Sequence, residues 1–230
     1  MQQKHSNSRK KNKSSWWDSF FDTWGPISLT VCIYIGVRLF IAEARYIPSG
    51  SMLPGLKVND RLIVEKLSLS SRSPYHGEIV VFNSPYSFDE KLIADRKTKL
   101  PSKIHCSIVS FPLFAWIPTL YDQACDAYIK RVVAVGGDRI FINDEGFIML
   151  NGRSIEEPYV EYFCPSNSEL NICRSITTIV PEGHVFVLGD NRANSWDSRF
   201  WPGGGFLPKE EIIGKAAWRF WPISRFGTID

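Results

Sequence analysis

The sequence predicts a mainly β fold: an antiparallel β-sandwich or barrel-like domain behind a single amino-terminal transmembrane helix. Three observations predict it. Short apolar and β-branched runs recur after Pro54, punctuated by Gly, Pro, Asn and Asp. A single apolar stretch of membrane length lies near the amino end. A basic segment without acids precedes that stretch. The 230 residues leave room for one ordinary domain besides the anchor, and 44% apolar content can supply its core.

Lys4, Arg9, Lys10, Lys11 and Lys13 stand in the first segment with no acid among them. Positive residues stay on the cytoplasmic side, so residues 1–19 read as a cytoplasmic tail. Thr23 to Val37 is uncharged, which alone is short of the ~20 residues a spanning helix needs. Arg38 can snorkel from the far end, so the anchor is expected over residues 20–42. Trp16, Trp17 and Trp24 sit where an interfacial aromatic belt would be. Ala42-Glu43-Ala44 has the small-x-small pattern of a cleaved leader, and on this reading it ends the helix. The apolar run is longer than a usual leader core, which favours a retained anchor with residues 43–230 outside the cytoplasm.

Strands are expected at Arg61–Lys66, Gly77–Phe82, Tyr128–Val135, His184–Leu188 and Lys215–Phe220. Arg139–Ile142 and Phe147–Leu150 flank an Asn143–Gly146 turn and read as a hairpin, while Pro208–Ile213 reads as a short helical turn. Residues 86–127 fit poorly and are expected to form an insert, with apolar Ile108–Tyr121 as a lid or a bilayer-dipping surface. Outside the cytoplasm Cys164 could bridge Cys173, and Cys106 could bridge Cys125; Cys32 lies in the anchor. No clustered Cys/His spacing calls for a metal, and no cofactor motif is seen. A net charge of +3 without a basic stripe gives no support for nucleic-acid binding.

Three segments carry candidate chemistry. Pro48-Ser49-Gly50-Ser51-Met52-Leu53-Pro54 is a turn between prolines that presents serine hydroxyls just beyond the anchor. Ser51 needs a base to act as a nucleophile. His76, His105 and His184 lack a distinctive context, although a triad histidine can come from anywhere in the chain. Lys130 lies in the apolar run Tyr128–Val135, and strand alternation sends Lys130 and Arg131 to opposite faces. On an edge strand both charges would be solvated; in a packed strand at least one is buried. Burial would lower a lysine from about 10.4 to about 8 for roughly 3 kcal/mol, yielding a usable general base. Gly189-Asp190-Asn191-Arg192-Ala193-Asn194-Ser195-Trp196-Asp197-Ser198-Arg199 is dense in alternating acids and arginines, as in a loop that holds site groups in place.

These three segments, with Gly77–Phe82 between the first two, resemble in order the signature boxes of type I signal peptidases, bacterial or organellar. The likeness runs from the anchor to Pro222. It implies a Ser–Lys dyad, with Ser51 as nucleophile and Lys130 as base. Ser49 and the Ser51 amide would form the oxyanion hole. Ser195 would orient Lys130 through a hydrogen bond. Asp190, Arg192, Asp197 and Arg199 would form a supporting network, and Ile47, Met52, Tyr128 and Ile129 would line pockets for small side chains. The implied activity is removal of amino-terminal signal peptides from exported pre-proteins after Ala-x-Ala, through an acyl-enzyme and without cofactor or metal. The implied setting is a single-pass cell-membrane protein, monomeric and in contact with lipid, its domain on the exoplasmic or periplasmic side. Two departures stand out: Ala193 replaces a usual aspartate, and Pro202–Phe206 is longer and richer in glycine than usual. A tethered domain that binds extended chains without cutting would need neither Ser51 nor Lys130.

Overall fold

A computed structural model describes residues 16–102, 105–106, 123–164 and 173–229. Residues 1–15 of the basic tail and Ile108–Tyr121 lie outside these described residues, while residues 16–19, expected in the tail, already belong to a helix. Helix α1 (Trp16–Gly36) carries Pro26 and passes into a π-helical turn over Val37–Ile41. Asp22–Ile41 is long and apolar enough to cross a membrane, with mean hydropathy 1.6 and no buried part. The helical segment ends at Ile41, one residue before the expected end of the anchor, and a second compact unit begins at Ala42.

That second unit opens with strand β1 (Ala42–Tyr46), which corrects the expectation that Ala42-Glu43-Ala44 ends the helix. β1 pairs antiparallel with β2 (Arg61–Glu65), Ala42 opposite Glu65 and Tyr46 opposite Arg61. Then follow helix α2 (Leu67–Ser71), β3 (Ile79–Asn83), helix α3 (Glu90–Ala94) and the long β4 (Ala127–Val135). The expected hairpin forms as β5 (Arg139–Ile142) and β6 (Ile148–Leu150), Phe141 facing Met149. The remaining strands are β7 (Arg153–Ser154), β8 (Ile176–Ile179), β9 (His184–Leu188), β10 (Leu207–Pro208), β11 (Ile212–Trp221) and β12 (Gly227–Thr228). The helical turn expected over Pro208–Ile213 is a 3-10 turn at Lys209–Glu211, after which β11 begins earlier than the sequence suggests.

Among the described residues the strands form two antiparallel sheets. The larger runs β1-β2-β11-β3-β4-β9-β10, with β12 on β11; the smaller runs β7-β6-β5-β8. The near-continuous apolar runs are the central strands. In β3, Ile79 and Val81 enter a core with Leu62, Val64 and Ala216, while Val80 and Phe82 enter another with Val132, Val187 and Trp201. In β9, Phe186 and Leu188 face a third core shared with β5 and β6. A strand covered on both faces has no polar face to show, so alternation vanishes from its sequence.

The insert's described parts are a 3-10 turn (Pro85–Ser87), α3 and a second 3-10 turn (Gln123–Cys125), with Cys106 disulfide-bonded to Cys125. Asp89 caps α3 by accepting from Lys91 N and Leu92 N, and it also accepts from Gly203 N at 2.8 Å. The glycines of the 202–206 segment allow this close approach: a Cβ on Gly203 would lie 2.6 Å from that carboxylate, and one on Gly205 would clash with the Ser198 carbonyl.

Candidate active site

β4 lies between β3 and β9, Lys130 opposite Val80 and Arg131 opposite Leu188. Both charges are therefore inside, 3% exposed each, one per face. Lys130 Nζ donates to Ser51 Oγ at 2.8 Å and to the Ile129 carbonyl at 3.0 Å. Burial lowers the Lys130 ammonium to about 8; Asp197 and Asp190 act against that shift, and Arg199 acts with it. Across the strand Arg131 donates to both Asp190 oxygens at 2.9 Å and to the Gly77 carbonyl at 2.7 Å. Its guanidinium lies 3.9 Å over the Tyr159 ring.

Ser51 sits in a tight turn, 8% exposed, with Leu53 N donating to Gly50 O and Leu56 N to Met52 O. Ser49, exposed, donates to Ser51 Oγ at 3.5 Å. Asn191 grips the turn from the 189–199 loop: its amide donates to Ser51 O at 3.1 Å and its Nδ2 to Gly50 O at 3.2 Å. A Cβ at Gly189 would lie 2.4 Å from Ser51 O and 2.3 Å from Ser195 Oγ, so only glycine lets the loop meet the serine turn this closely.

The loop's charges are buried and paired. Asp197 accepts from Arg199 Nε at 2.8 Å, Arg199 Nη2 at 2.9 Å and the Gly189 amide at 3.0 Å. Burial alone would raise this carboxyl; the Arg199 charge and these hydrogen bonds outweigh it and hold it below its ordinary value. At Asp190 burial wins and raises the carboxyl despite Arg131. Arg192 binds Glu157 at 2.9 Å and the Gly146 carbonyl at 2.6 Å. The Cys164–Cys173 disulfide lies against the Arg199–Asp197 pair, both sulfurs within 3.9 Å of Arg199 Nη1.

A buried serine hydroxyl bonded to a buried, pKa-lowered lysine, and beside them a loop of ion-paired acids and arginines, is the equipment of a serine hydrolase. Comparison with known proteins agrees. The family described as signal peptidase, peptidase S26, matches residues 21–221.

The chain belongs to the signal peptidase family.

It is 37% identical over 212 residues to a probable signal peptidase I-2 of Synechocystis, covering 90% of this chain and 78% of that protein. The signal peptidase I of Leptolyngbya laminosa is 37% identical over 203 residues, covering 88% and 80%. The chloroplast thylakoidal processing peptidase 1 of Arabidopsis thaliana is 34% identical over 195 residues, covering 85% of this chain and 46% of that protein. As a type I signal peptidase the chain is a serine endopeptidase, a hydrolase that removes signal peptides from pre-proteins.

The remaining expected residues divide. Ser195 does not bond Lys130: its Oγ is buried with no partner in hydrogen-bond geometry among the described residues. It faces Asp197 and helps hold that carboxylate charged. Ile47, Met52 and Ile129 share one apolar cluster beneath the serine turn, whereas Tyr128, alternating to the other face, packs near Trp196 at 5.9 Å. At Ala193 the backbone amide donates to Tyr162 O. His76 bonds Asp138 and His184 the Glu182 carbonyl, so neither serves Ser51.

Sequence reading missed Arg131, Asn191, Glu157 and Tyr159. Arg131 was half visible, since it had to point opposite Lys130. Tyr159 donates to Glu157 at 2.8 Å, and burial, then the Glu157 charge, pushes its phenol beyond the usual range. No local pattern marks Glu157, because its partner Arg192 is 35 residues away.

Proposed function

We propose that Ser51 and Lys130 form a Ser–Lys dyad that cleaves pre-proteins after Ala-x-Ala through an acyl-enzyme. The observation that carries this reading is the 2.8 Å contact from Lys130 Nζ to Ser51 Oγ, made by a lysine whose pKa burial has brought near neutrality. Neutral Lys130 takes the Ser51 proton as Oγ attacks the scissile carbonyl carbon. The Ser51 amide and the Ser49 hydroxyl receive the oxyanion. The C–N bond then breaks, and the Lys130 ammonium returns its proton to the leaving amine. A water, deprotonated by Lys130, hydrolyses the ester and frees Ser51.

Asp190, Arg192, Asp197 and Arg199 keep the loop rigid behind the dyad, and Ser195 faces Asp197 from the same loop. A substrate segment adds as an extended strand, alternate small residues entering pockets with Ile47, Met52 and Ile129 on one side and Tyr128 on the other. The Asp22–Ile41 helix anchors a monomer in the lipid bilayer, with the basic tail in the cytoplasm and the catalytic domain outside. The Cys106–Cys125 and Cys164–Cys173 bridges support that side, since disulfides persist in oxidising compartments.

Incubating the detergent-solubilised chain with a secretory precursor tests the dyad. Ser51→Ala and Lys130→Arg are each expected to abolish cleavage with the fold intact, because a guanidinium does not release its proton at usable pH. Appreciable cleavage by Lys130→Arg refutes the lysine base.

A further inference from the structure

Among the described residues, a charge cluster around buried Asp60 is not used by the dyad or its loop. It lies where the carboxyl end of the chain meets the loop that carries Ser51. That loop is closed at its base by two backbone hydrogen bonds, Ile47 N to Asp60 O at 2.9 Å and Asn59 N to Ile47 O at 2.8 Å. Asp60 is 1% exposed and accepts from Lys57 N at 2.9 Å within the loop. From the other side Arg225 Nη1 donates to both Asp60 oxygens, at 2.9 and 2.8 Å, and Arg219 Nη1 lies 3.7 Å from one of them.

The same two arginines converge on the Gly55 carbonyl, Arg225 Nη2 at 2.8 Å and Arg219 Nη1 at 3.0 Å. Gly55 is four residues beyond Ser51, and a Cβ there would lie 3.4 Å from Asp190 Oδ2. Arg219 Nε in turn donates to the Arg225 carbonyl. Two guanidinium groups this close repel one another: burial, then the Arg225 charge, holds Arg219 below its ordinary value. The buried carboxylate and the two lone pairs of one carbonyl offset that repulsion. Ile229 packs in the same apolar cluster as Met52 and Leu56, so the chain end also lies against the turn hydrophobically.

We propose that Arg219 and Arg225, with Asp60, are positioning residues of the peptidase reaction: a clamp near the chain's carboxyl end that fixes the Ser51 turn at Gly55, as Asn191 fixes it at Gly50 and Ser51. The proposal rests on Ser51 being the nucleophile. The clamp touches neither dyad atom and sets only where the turn stands. A displacement of about 1 Å at a reacting group costs on the order of 10²-fold in rate. Losing the clamp therefore lowers kcat while leaving substrate affinity in place.

The test measures kcat and KM for a secretory precursor on the full chain in detergent, with Ser51→Ala run alongside. Arg225→Ala is expected to lower kcat by about 10- to 100-fold with KM within about twofold. Arg225→Lys keeps a charge on Asp60 but loses the second arm to Gly55, so it recovers only part of the rate. Arg61→Ala removes a neighbouring arginine that stacks over Trp221 outside the clamp, and it keeps the wild-type kcat. A folded Arg225→Ala protein with wild-type kcat overturns the proposal. So does a loss carried by KM alone, or one that only follows the folded fraction measured by circular dichroism. If Arg225→Ala does not fold, Arg225→Lys decides: a kcat at least about threefold below wild type supports the clamp, and a wild-type kcat overturns it. Retained cleavage by Ser51→Ala would instead remove the nucleophile reading itself, so the two failures are distinguishable.

Discussion

Replacing Lys130 by methionine should abolish cleavage and, at neutral pH, make the domain more stable. Lys130 is 3% exposed, and burial lowers it from 10.5 to about 8. Holding the ammonium inside the folded domain at pH 7 thus costs about 3 kcal/mol relative to the unfolded chain. Methionine fills similar space without charge but gives up the bonds to Ser51 Oγ and the Ile129 carbonyl, each worth about 1 kcal/mol net. The balance is a gain of about 1–2 kcal/mol, or roughly 3–6 °C in Tm for a domain of this size.

The pH dependence gives the sharper signature. The unfolded lysine keeps its proton to about 10.5, whereas the folded one releases it near 8. Between those values the unfolded state binds more protons, so wild-type stability rises with pH. The lead of Lys130→Met should be full below about pH 8 and shrink toward pH 10. Thermal unfolding followed by tryptophan fluorescence, disulfides intact, reads both. A methionine variant less stable than wild type at neutral pH, or one whose lead is the same at both ends of that range, would refute the buried-ammonium account.

Three further outcomes are expected. Arg199→Met leaves the Asp197 carboxylate buried without its main partner, which should destabilise the domain by about 3–5 kcal/mol. Because Asp197 raises Lys130 and Arg199 lowers it, while Asp190 stays paired with Arg131, the activity midpoint should move to higher pH; an unmoved pH–rate profile contradicts this. The Ala42-Glu43-Ala44 motif should resist self-cleavage in membranes, because it is already a paired strand with Glu43 tied to Arg45 and Lys66. Amino-terminal sequencing that finds chains beginning at Arg45 after brief incubation would show that β1 detaches readily.

Much of the fold was legible wherever one physical demand fell on adjacent residues. Unbroken apolar runs could only be strands covered on both faces, and β3 and β9 are such strands. The two-residue period forced Lys130 and Arg131 apart before any partner was known. The Cys pairs sat close enough in sequence to suggest bridges that the structure forms. By contrast the start of β1, Ala42-Glu43-Ala44, reads as the end of the helix, and it is a strand only because β2, nineteen residues further on from Ala42 to Arg61, supplies its hydrogen bonds.

The site follows the same division. Residue types and their order along the chain proposed Ser51 and Lys130, because nucleophile and buried base each have a local context. Tertiary structure alone decided that Ser195 stands off Lys130, that Asn191 holds the Ser51 turn, and that Glu157, Arg219 and Arg225 complete the charge pairs around it. The physical reason is the reach of each interaction. Alternation and burial act on neighbours along the chain and leave a pattern there. A hydrogen bond between groups 165 residues apart, such as Arg225 to Asp60, leaves none until the sheet brings them within 3 Å.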